Sequence, residues 1–203
     1  MDQADVPSPI DLKNSSDAKE WERTAMDRPF RLEFFDQFSR ELQKLSKHNM
    51  NVLELGSGPG FLADYLLKDI PDLQITLLDF SAAMHELALV RIGKNIERVK
   101  FVERNFKEEK WNVGLEKYDA VITNQAIHEL RHKRYAQALH EQVRPLLKSN
   151  ALYLVCDHYC GEGGLNNGQL YMTINESRES LVKAGFNVQE VFIKGGRILN
   201  CAT

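Results

Sequence analysis

Glycines and acids recur in this chain at spacings that suit a nucleotide-like cofactor. The segment Asn51 to Gly60 reads N-V-L-E-L-G-S-G-P-G, with Glu54 inside an apolar run. Alternate glycines follow that run, at Gly56, Gly58 and Gly60. The run is typical of a buried parallel strand, and the glycines indicate a tight turn where the backbone approaches a ligand. Asp79 ends the next apolar run, about 20 residues further on, where an acid accepts hydrogen bonds from ribose hydroxyls.

The glycine segment resembles motif I, E-x-G-x-G-x-G, of the class I S-adenosylmethionine (SAM) dependent methyltransferases, in particular their small-molecule branch. The hydride-transfer pattern G-x-G-x-x-G needs a small third residue, where this chain has Phe61. The resemblance implies SAM as cofactor and S-adenosylhomocysteine as product. It also implies that Glu54 and the turn, including Ser57, hold the methionine portion and that Asp79 holds the ribose.

Further cofactor contacts are implied at the ends of later strands. Phe80 and Met84 follow Asp79, although Met84 also suits a core position. Asn105 stands where the family often has an acid, and its amide oxygen can accept from the adenine amine. The remaining implied contacts are Phe106, Asn124 and Gln125.

The segment after the fourth strand carries the candidate for the chemistry. N-Q-A-I-H-E-L matches the apolar-His-x-Leu run of the family at Ile127, His128 and Leu130. The N/D-P-P-Y/F signature of adenine and glutamine-amide methylases is missing, which disfavours a base-flipping role. His128 is predicted to accept the proton of the acceptor, with His158 as its rival. A backbone hydrogen bond of His128 in a loop is the alternative.

One motif indicates a different chemistry, which we reject. His128-Glu129-Leu130-Arg131-His132 spells H-E-x-x-H, the zinc protease signature. That site needs both histidines on one helical face and a third ligand downstream, where this chain has Ala138. We therefore expect no metal site.

Strand and helix patterns alternate along most of the chain and end in two apolar runs around Gly195-Gly196. This order predicts an α/β fold with a Rossmann-like, doubly wound, mostly parallel seven-stranded sheet, a C-terminal antiparallel hairpin and N-terminal helices. The predicted organisation is a flexible tail over 1–16 and one methyltransferase domain over 17–203. That domain comprises a helical cap over 17–48, which suits a lid, and a core over 49–203.

Composition narrows the partners and the location. The formal net charge of −3 disfavours a nucleic-acid partner. No apolar run approaches the ~20 residues of a membrane span, and three cysteines suit a reducing cytoplasm. We predict a cytoplasmic methyltransferase with a small-molecule acceptor, the methylated atom being open. The alternatives are a protein or nucleic-acid methyltransferase, an NAD(P)-dependent oxidoreductase and a non-catalytic methyltransferase-like binding domain.

Overall fold

A computed structural model describes residues 4–203 and contains one seven-stranded sheet. The strands are β1 (Asn51–Leu55), β2 (Gln74–Asp79), β3 (Val99–Glu103), β4 (Tyr118–Asn124), β5 (Leu147–His158), β6 (Val188–Lys194) and β7 (Arg197–Ala202). Their order is β3-β2-β1-β4-β5-β7-β6, with β1 to β5 parallel and β7 antiparallel to both of its neighbours. The predicted fold class, including the closing hairpin, is confirmed.

Six α-helices within residues 4–203 cover the sheet, because its central strands β1, β2 and β4 are buried on both faces. They are α1 (Ser15–Ala25), α2 (Arg31–Gln43), α3 (Phe61–Asp69), α4 (Ala82–Ile92), α5 (Ala136–Val143) and α6 (Ile174–Lys183). Residues of α2, α3 and α4 share one core cluster with one face of the sheet. Residues of α5 and α6 form the other cluster with the opposite face. In the part of the chain described, no helix is long and apolar enough to cross a membrane.

Local signals explain most element boundaries. The capping box of Thr173 and Glu176 starts α6, as the sequence predicts, and Gly185, with φ 88°, follows its end. Helix α1 starts at Ser15, slightly before the predicted Asp17, because the Asn14 side chain accepts the first free N–H groups. Strand β5 starts as early as Leu147, since a register shift lets Leu147 pair with Tyr118.

The carboxyl ends of β1, β2, β4 and β5 meet at one edge of the sheet, where the chain order reverses between β1 and β4. In doubly wound folds this edge forms the ligand-binding crevice. Residues 4–14, from the predicted flexible tail, lie across it. There the Val6 N–H donates to the Arg131 carbonyl at 2.8 Å, and the Ser81 hydroxyl donates to the Leu12 carbonyl at 2.5 Å.

Candidate active site

A cavity of about 420 Å³ occupies this edge of the sheet, a size within the range of small-molecule sites. Most of the predicted site residues line it: Glu54, Gly56, Ser57, Gly58, Asp79, Phe80, Met84, Phe106, Asn124, Gln125, His128 and His158. Gly60 and Asn105 do not line it. The tertiary structure thus brings together twelve of the fourteen predicted positions, whose individual roles stay predictions.

The glycines of the turn differ in which neighbour comes close to the backbone. A Cβ atom added at Gly56 would lie 2.4 Å from the Ala126 Cβ, so the turn leaves no room there for a side chain. A Cβ atom at Gly60 would lie 3.0 Å from the Ala88 Cβ on α4. Both residues also have positive φ, at 65° and 75°, which side chains disfavour. Gly60 therefore serves the packing of α3 on α4, which explains its distance from the cavity.

Two buried carboxyl groups stand at the carboxyl end of β1 and β2. Asp79 accepts from the Gly58 N–H at 2.8 Å and from the Ser81 N–H at 3.0 Å. Burial nevertheless raises the pKa of Asp79 to about 6. Burial and the charge of Asp79 raise the pKa of Glu54 well above its ordinary value. Both shifts favour a cationic ligand here, because a positive charge would stabilise the ionised carboxylates.

Several buried polar atoms that face this cavity have no hydrogen-bond partner among residues 4–203. They are Glu54 Oε2, Ser57 Oγ, Asn124 Oδ1 and Gln125 Nε2. Buried polar groups are normally paired, so unpaired ones in a cavity indicate a missing ligand. The ammonium, carboxylate and hydroxyl groups of SAM offer partners of the required kinds. The residues present therefore fit that cofactor.

Asn105, which was predicted to contact the adenine, does not line the main cavity. The Asn105 side chain accepts from the Lys107 N–H at 3.0 Å and borders a neighbouring hollow. Ile10 and Leu12 of the N-terminal segment line both that hollow and the main cavity. Asn105 thus borders the neighbouring hollow and not the main cavity.

His128 is held in place by the carboxylate of Asp157, near the end of β5. His128 Nδ1 lies 2.7 Å from Asp157 Oδ1, and the His128 backbone N–H donates to Asp157 Oδ2 at 2.9 Å. On the other side of the ring, His128 Nε2 lies 3.4 Å from Glu129 Oε1. Burial lowers the pKa of His128, but the charge and hydrogen bond of Asp157 raise it overall, well above the ordinary value. Asp157 thus orients the ring and stabilises its protonated form.

Two further rings surround His128. The centroids of His158 and Tyr171 lie 5.7 Å and 5.6 Å from that of His128. Burial lowers the pKa of His158 to about 4, so its ring is neutral at neutral pH. Tyr171 was not predicted as a site residue, because it belongs to no motif. The only signal in the sequence is the glycine-rich stretch just before it, which follows β5 and so returns to this edge.

The zinc-like motif does not form the helix that a zinc protease site requires. Residues 127–130 and 133–135 form two separate 3₁₀ turns, interrupted by Arg131 in the left-handed conformation at φ 65°. His128 and His132 therefore do not share one α-helical face. No cluster of three or more potential metal ligands occurs within residues 4–203.

The opposite wall of the cavity comes from the N-terminal helices. Trp21 of α1, Arg28 of the loop after it and Arg31 of α2 all line the cavity. The predicted helical cap over 17–48 includes these residues, but the sequence pattern assigned no role to its arginines. Amphipathic spacing could not reveal them, because a charge beside a helix normally faces solvent.

Comparisons with known proteins agree with this geometry. Residues 53–153 match the model of a methyltransferase domain family. The chain is 37% identical over 81 residues to malonyl-[acyl-carrier protein] O-methyltransferase 1 of Ilyobacter polytropus, covering 39% of this chain and 28% of that protein. It is 32% identical over 151 residues to ribosomal protein L11 methyltransferase of Dictyoglomus turgidum, covering 74% of this chain and 43% of that protein. The chain therefore spans less than half of the length of either relative.

A solved structure shows the same fold over nearly the whole chain. Human N-acetylserotonin methyltransferase in complex with SAM matches with a TM-score of 0.72 at 16% identity, covering 94% of this chain and 56% of that one. At this identity the likeness concerns the fold alone. Motif I, the sheet order and the family match converge on one assignment: the chain belongs to the class I SAM-dependent methyltransferases, whose cofactor is S-adenosylmethionine.

Proposed function

We propose that this chain transfers the methyl group of SAM to a small-molecule acceptor. The observation that carries the proposal is the cavity at the β1/β4 switch point, where unpaired polar atoms of Glu54, Ser57, Asn124 and Gln125 face the space. SAM, when bound, supplies a methyl group on a positively charged sulfur, which makes that methyl open to in-line attack. The protein then has to align the acceptor and exclude water.

The cofactor would be held by the β1 and β2 strand ends. Glu54 is suited to the ammonium group of the methionine portion, since a cation restores its ionised form. Asp79 keeps the Gly58 backbone in place and offers further lone pairs to ribose hydroxyls. Phe80, Met84 and Phe106 give the adenine an apolar surrounding.

We infer that His128 accepts the proton that the acceptor loses. Asp157 holds the ring through Nδ1, and an acceptor that reaches Nε2 has to displace the contact of that nitrogen with Glu129 Oε1 at 3.4 Å. Because its pKa is raised, His128 is protonated at neutral pH and accepts a proton only at higher pH, after it has lost its own. His158 stays the rival, but its lowered pKa makes it the weaker base. The methylated atom stays open between O, N, S and C.

The size and surroundings of the cavity favour a small acceptor. Tyr171 lies beside the two histidines, and Trp21, Leu170, Ile10 and Leu12 add further apolar lining. The net charge of −3 disfavours nucleic acid. A protein acceptor is the second candidate, because the match to ribosomal protein L11 methyltransferase extends over 74% of the chain. Three free cysteines support the prediction of a cytoplasmic location.

Calorimetry with SAM, S-adenosylhomocysteine, NAD and NADP tests the cofactor. The first two are expected to bind and the nicotinamide cofactors are not. Asp79→Ala should weaken SAM binding about tenfold or more, because each lost hydrogen bond to a charged group is worth about 1.5–3 kcal/mol. Asp72→Ala, an exposed acid just before β2, is the matched control and should bind like the wild type. Binding of NAD in place of SAM would contradict the proposal.

A further inference from the structure

Three arginines form a cluster beside the cavity: Arg28 and Arg31 line it, and Arg197 lies close to Arg31 without lining it. Arg31 is 5% exposed and Arg197, at the start of β7, is 3% exposed. Arg28 is partly buried and lies over the Trp21 ring, 5.3 Å from its centroid. Arg197 pairs in register with His158 of β5, so the cluster adjoins the candidate chemistry.

The charges of this arginine cluster are not balanced within the described chain. None of the three forms an ion pair with an acid among residues 4–203. Arg31 Nη2 donates to Gln125 Oε1 at 3.3 Å, and Arg197 Nη2 donates to the Pro29 carbonyl at 2.6 Å. Arg31 Nε and Arg197 Nη1 are buried and have no hydrogen-bond partner in this part of the chain. A buried charge without a counter-charge is unfavourable, so an anion would relieve this arrangement.

The charges of the arginine cluster affect the pKa of His158 and not that of Glu54. The charges of Arg197 and Arg28 help lower the pKa of His158, after burial. The pKa of Glu54, in contrast, responds to burial and to Asp79. Burial and the neighbouring charges of Arg28 and Arg197 lower the pKa of Arg31 to about 10, which shows that the three cations repel one another. The cluster therefore adds positive charge near the histidines, where the carboxylates of Asp157 and Glu129 already contact His128.

We propose that this arginine cluster binds a carboxylate of the acceptor, and that the acceptor is a small aromatic acid. The proposal rests on the proposed methyltransferase function and narrows its substrate class. A guanidinium presents paired donors in a plane that match the two oxygens of a carboxylate. The rings of Trp21, Phe35 and Tyr171 also line the cavity and offer an aromatic acceptor partners to pack against. The carboxylate serves as an anchor, which leaves a second group on the ring to face His128.

The competing occupant of the cluster is the carboxylate of SAM itself. The two possibilities differ in which ligand loses affinity when an arginine is neutralised. If the cluster holds the acceptor, binding of S-adenosylhomocysteine, which keeps the same carboxylate, is unchanged by the substitution. If the cluster holds the cofactor, that binding weakens.

The test is calorimetry on the full chain saturated with S-adenosylhomocysteine, titrated with benzoate and the three hydroxybenzoates. The matching benzamides are the neutral probes, and phenyl phosphate is the phosphate probe. At least one carboxylate should bind about tenfold more tightly than its amide. Arg28→Gln and Arg31→Gln should each weaken the binding of that carboxylate about tenfold. Arg40→Gln is the matched control, because Arg40 lies on the exposed face of α2 and pairs with Asp36.

Each outcome decides the proposal. Unchanged binding of S-adenosylhomocysteine to Arg28→Gln and Arg31→Gln shows that the variants are folded and that the cluster is not needed for the cofactor. Weakened S-adenosylhomocysteine binding with unchanged carboxylate binding overturns the proposal in favour of the cofactor. Equal affinity for acids and amides across the series, or preference for phenyl phosphate alone, also overturns it. Failure of the wild type to bind SAM is a separate result that rejects the proposed function.

Discussion

At the scale of single residues, the pairing of His128 with Asp157 determines how the site responds to pH. The two side chains are 29 residues apart in sequence and 2.7 Å apart in space. Burial raises the pKa of Asp157, but the charge and hydrogen bond of His128 lower it overall. The pair therefore shares a proton that stays on the imidazole to higher pH than in free histidine.

The rate of methyl transfer should rise with pH, because His128 has to lose its proton first. His128 must be unprotonated to accept a proton, so the rate should rise as pH rises through a pKa above the ordinary value of about 6.5. Asp157→Asn should move that limb of the rate profile to lower pH, because the stabilising charge is removed. His128→Ala should reduce turnover about 10²–10⁴-fold and leave SAM affinity unchanged. Steady-state rates between pH 5 and about 10 measure both effects.

The exposed His48 provides the matched control, and His48→Ala should keep the wild-type profile. Wild-type turnover of His128→Ala on the true acceptor would reject this role. The search for the base would then move to His158.

At the scale of secondary-structure elements, α5 packs on β5 through a buried histidine. His140 is fully buried, and its Nδ1 lies 3.1 Å from the Tyr153 hydroxyl. Its Nε2 has no hydrogen-bond partner in the described structure. Burial lowers the pKa of His140 to about 3, so the folded chain holds this ring neutral over a wide range of pH.

This contact predicts a loss of stability in mild acid. Below about pH 6.5 the unfolded chain binds a proton at His140 and the folded chain does not, until pH approaches 3. The group therefore contributes stability above pH 6.5 that is lost as pH falls, at about 1.4 kcal/mol per pH unit. Urea unfolding of wild type and His140→Leu at pH 7 and pH 5 measures the difference. Equal pH dependence of the two proteins, with His48→Leu as control, would show that His140 does not titrate in this way.

At the scale of the whole molecule, the first residues lie over the cofactor end of the cavity. Arg131 Nη2 donates to the Pro7 carbonyl at 2.7 Å, and Asp5 pairs with Arg134 at 2.8 Å. Ile10 and Leu12 line the cavity between these contacts and α1. The predicted division into a tail, a cap and a core stays a prediction. Residues 4–14 nevertheless make more contacts than the composition of a flexible tail indicates.

Deleting residues 1–11 should therefore weaken SAM binding about tenfold. The deletion removes Ile10 from the cavity wall and loosens Leu12; both are partly buried, and full burial of one such side chain is worth about 1.5–3 kcal/mol. Deletion of residues 1–3 alone is the control, and calorimetry measures both proteins. An affinity equal to that of the wild type would mean that the segment does not cover the cofactor. We further predict that the segments Trp21 to Phe35 and Gly161 to Gln169 are mobile without ligand and become ordered when the acceptor binds, which hydrogen exchange with and without acceptor measures.

The sequence alone determined the sheet, the glycine turn and the strand ends. These features follow from local rules: an apolar run makes a buried strand, alternating glycines make a turn, and parallel strands deliver their last residues to one edge. Residue type and position along the chain are therefore enough to single out Glu54, Asp79 and His128. The same rules do not predict the direction of a side chain, because they describe only the path of the backbone.

Only the tertiary structure decided which side chains meet. It paired His128 with Asp157, turned Gly60 toward α4 and left Asn105 outside the cavity. It also brought Arg197 of the last strand beside Arg31 of the second helix. Such contacts join positions far apart in the chain, so they depend on how helices pack on the sheet. No spacing or periodicity within a segment carries that information.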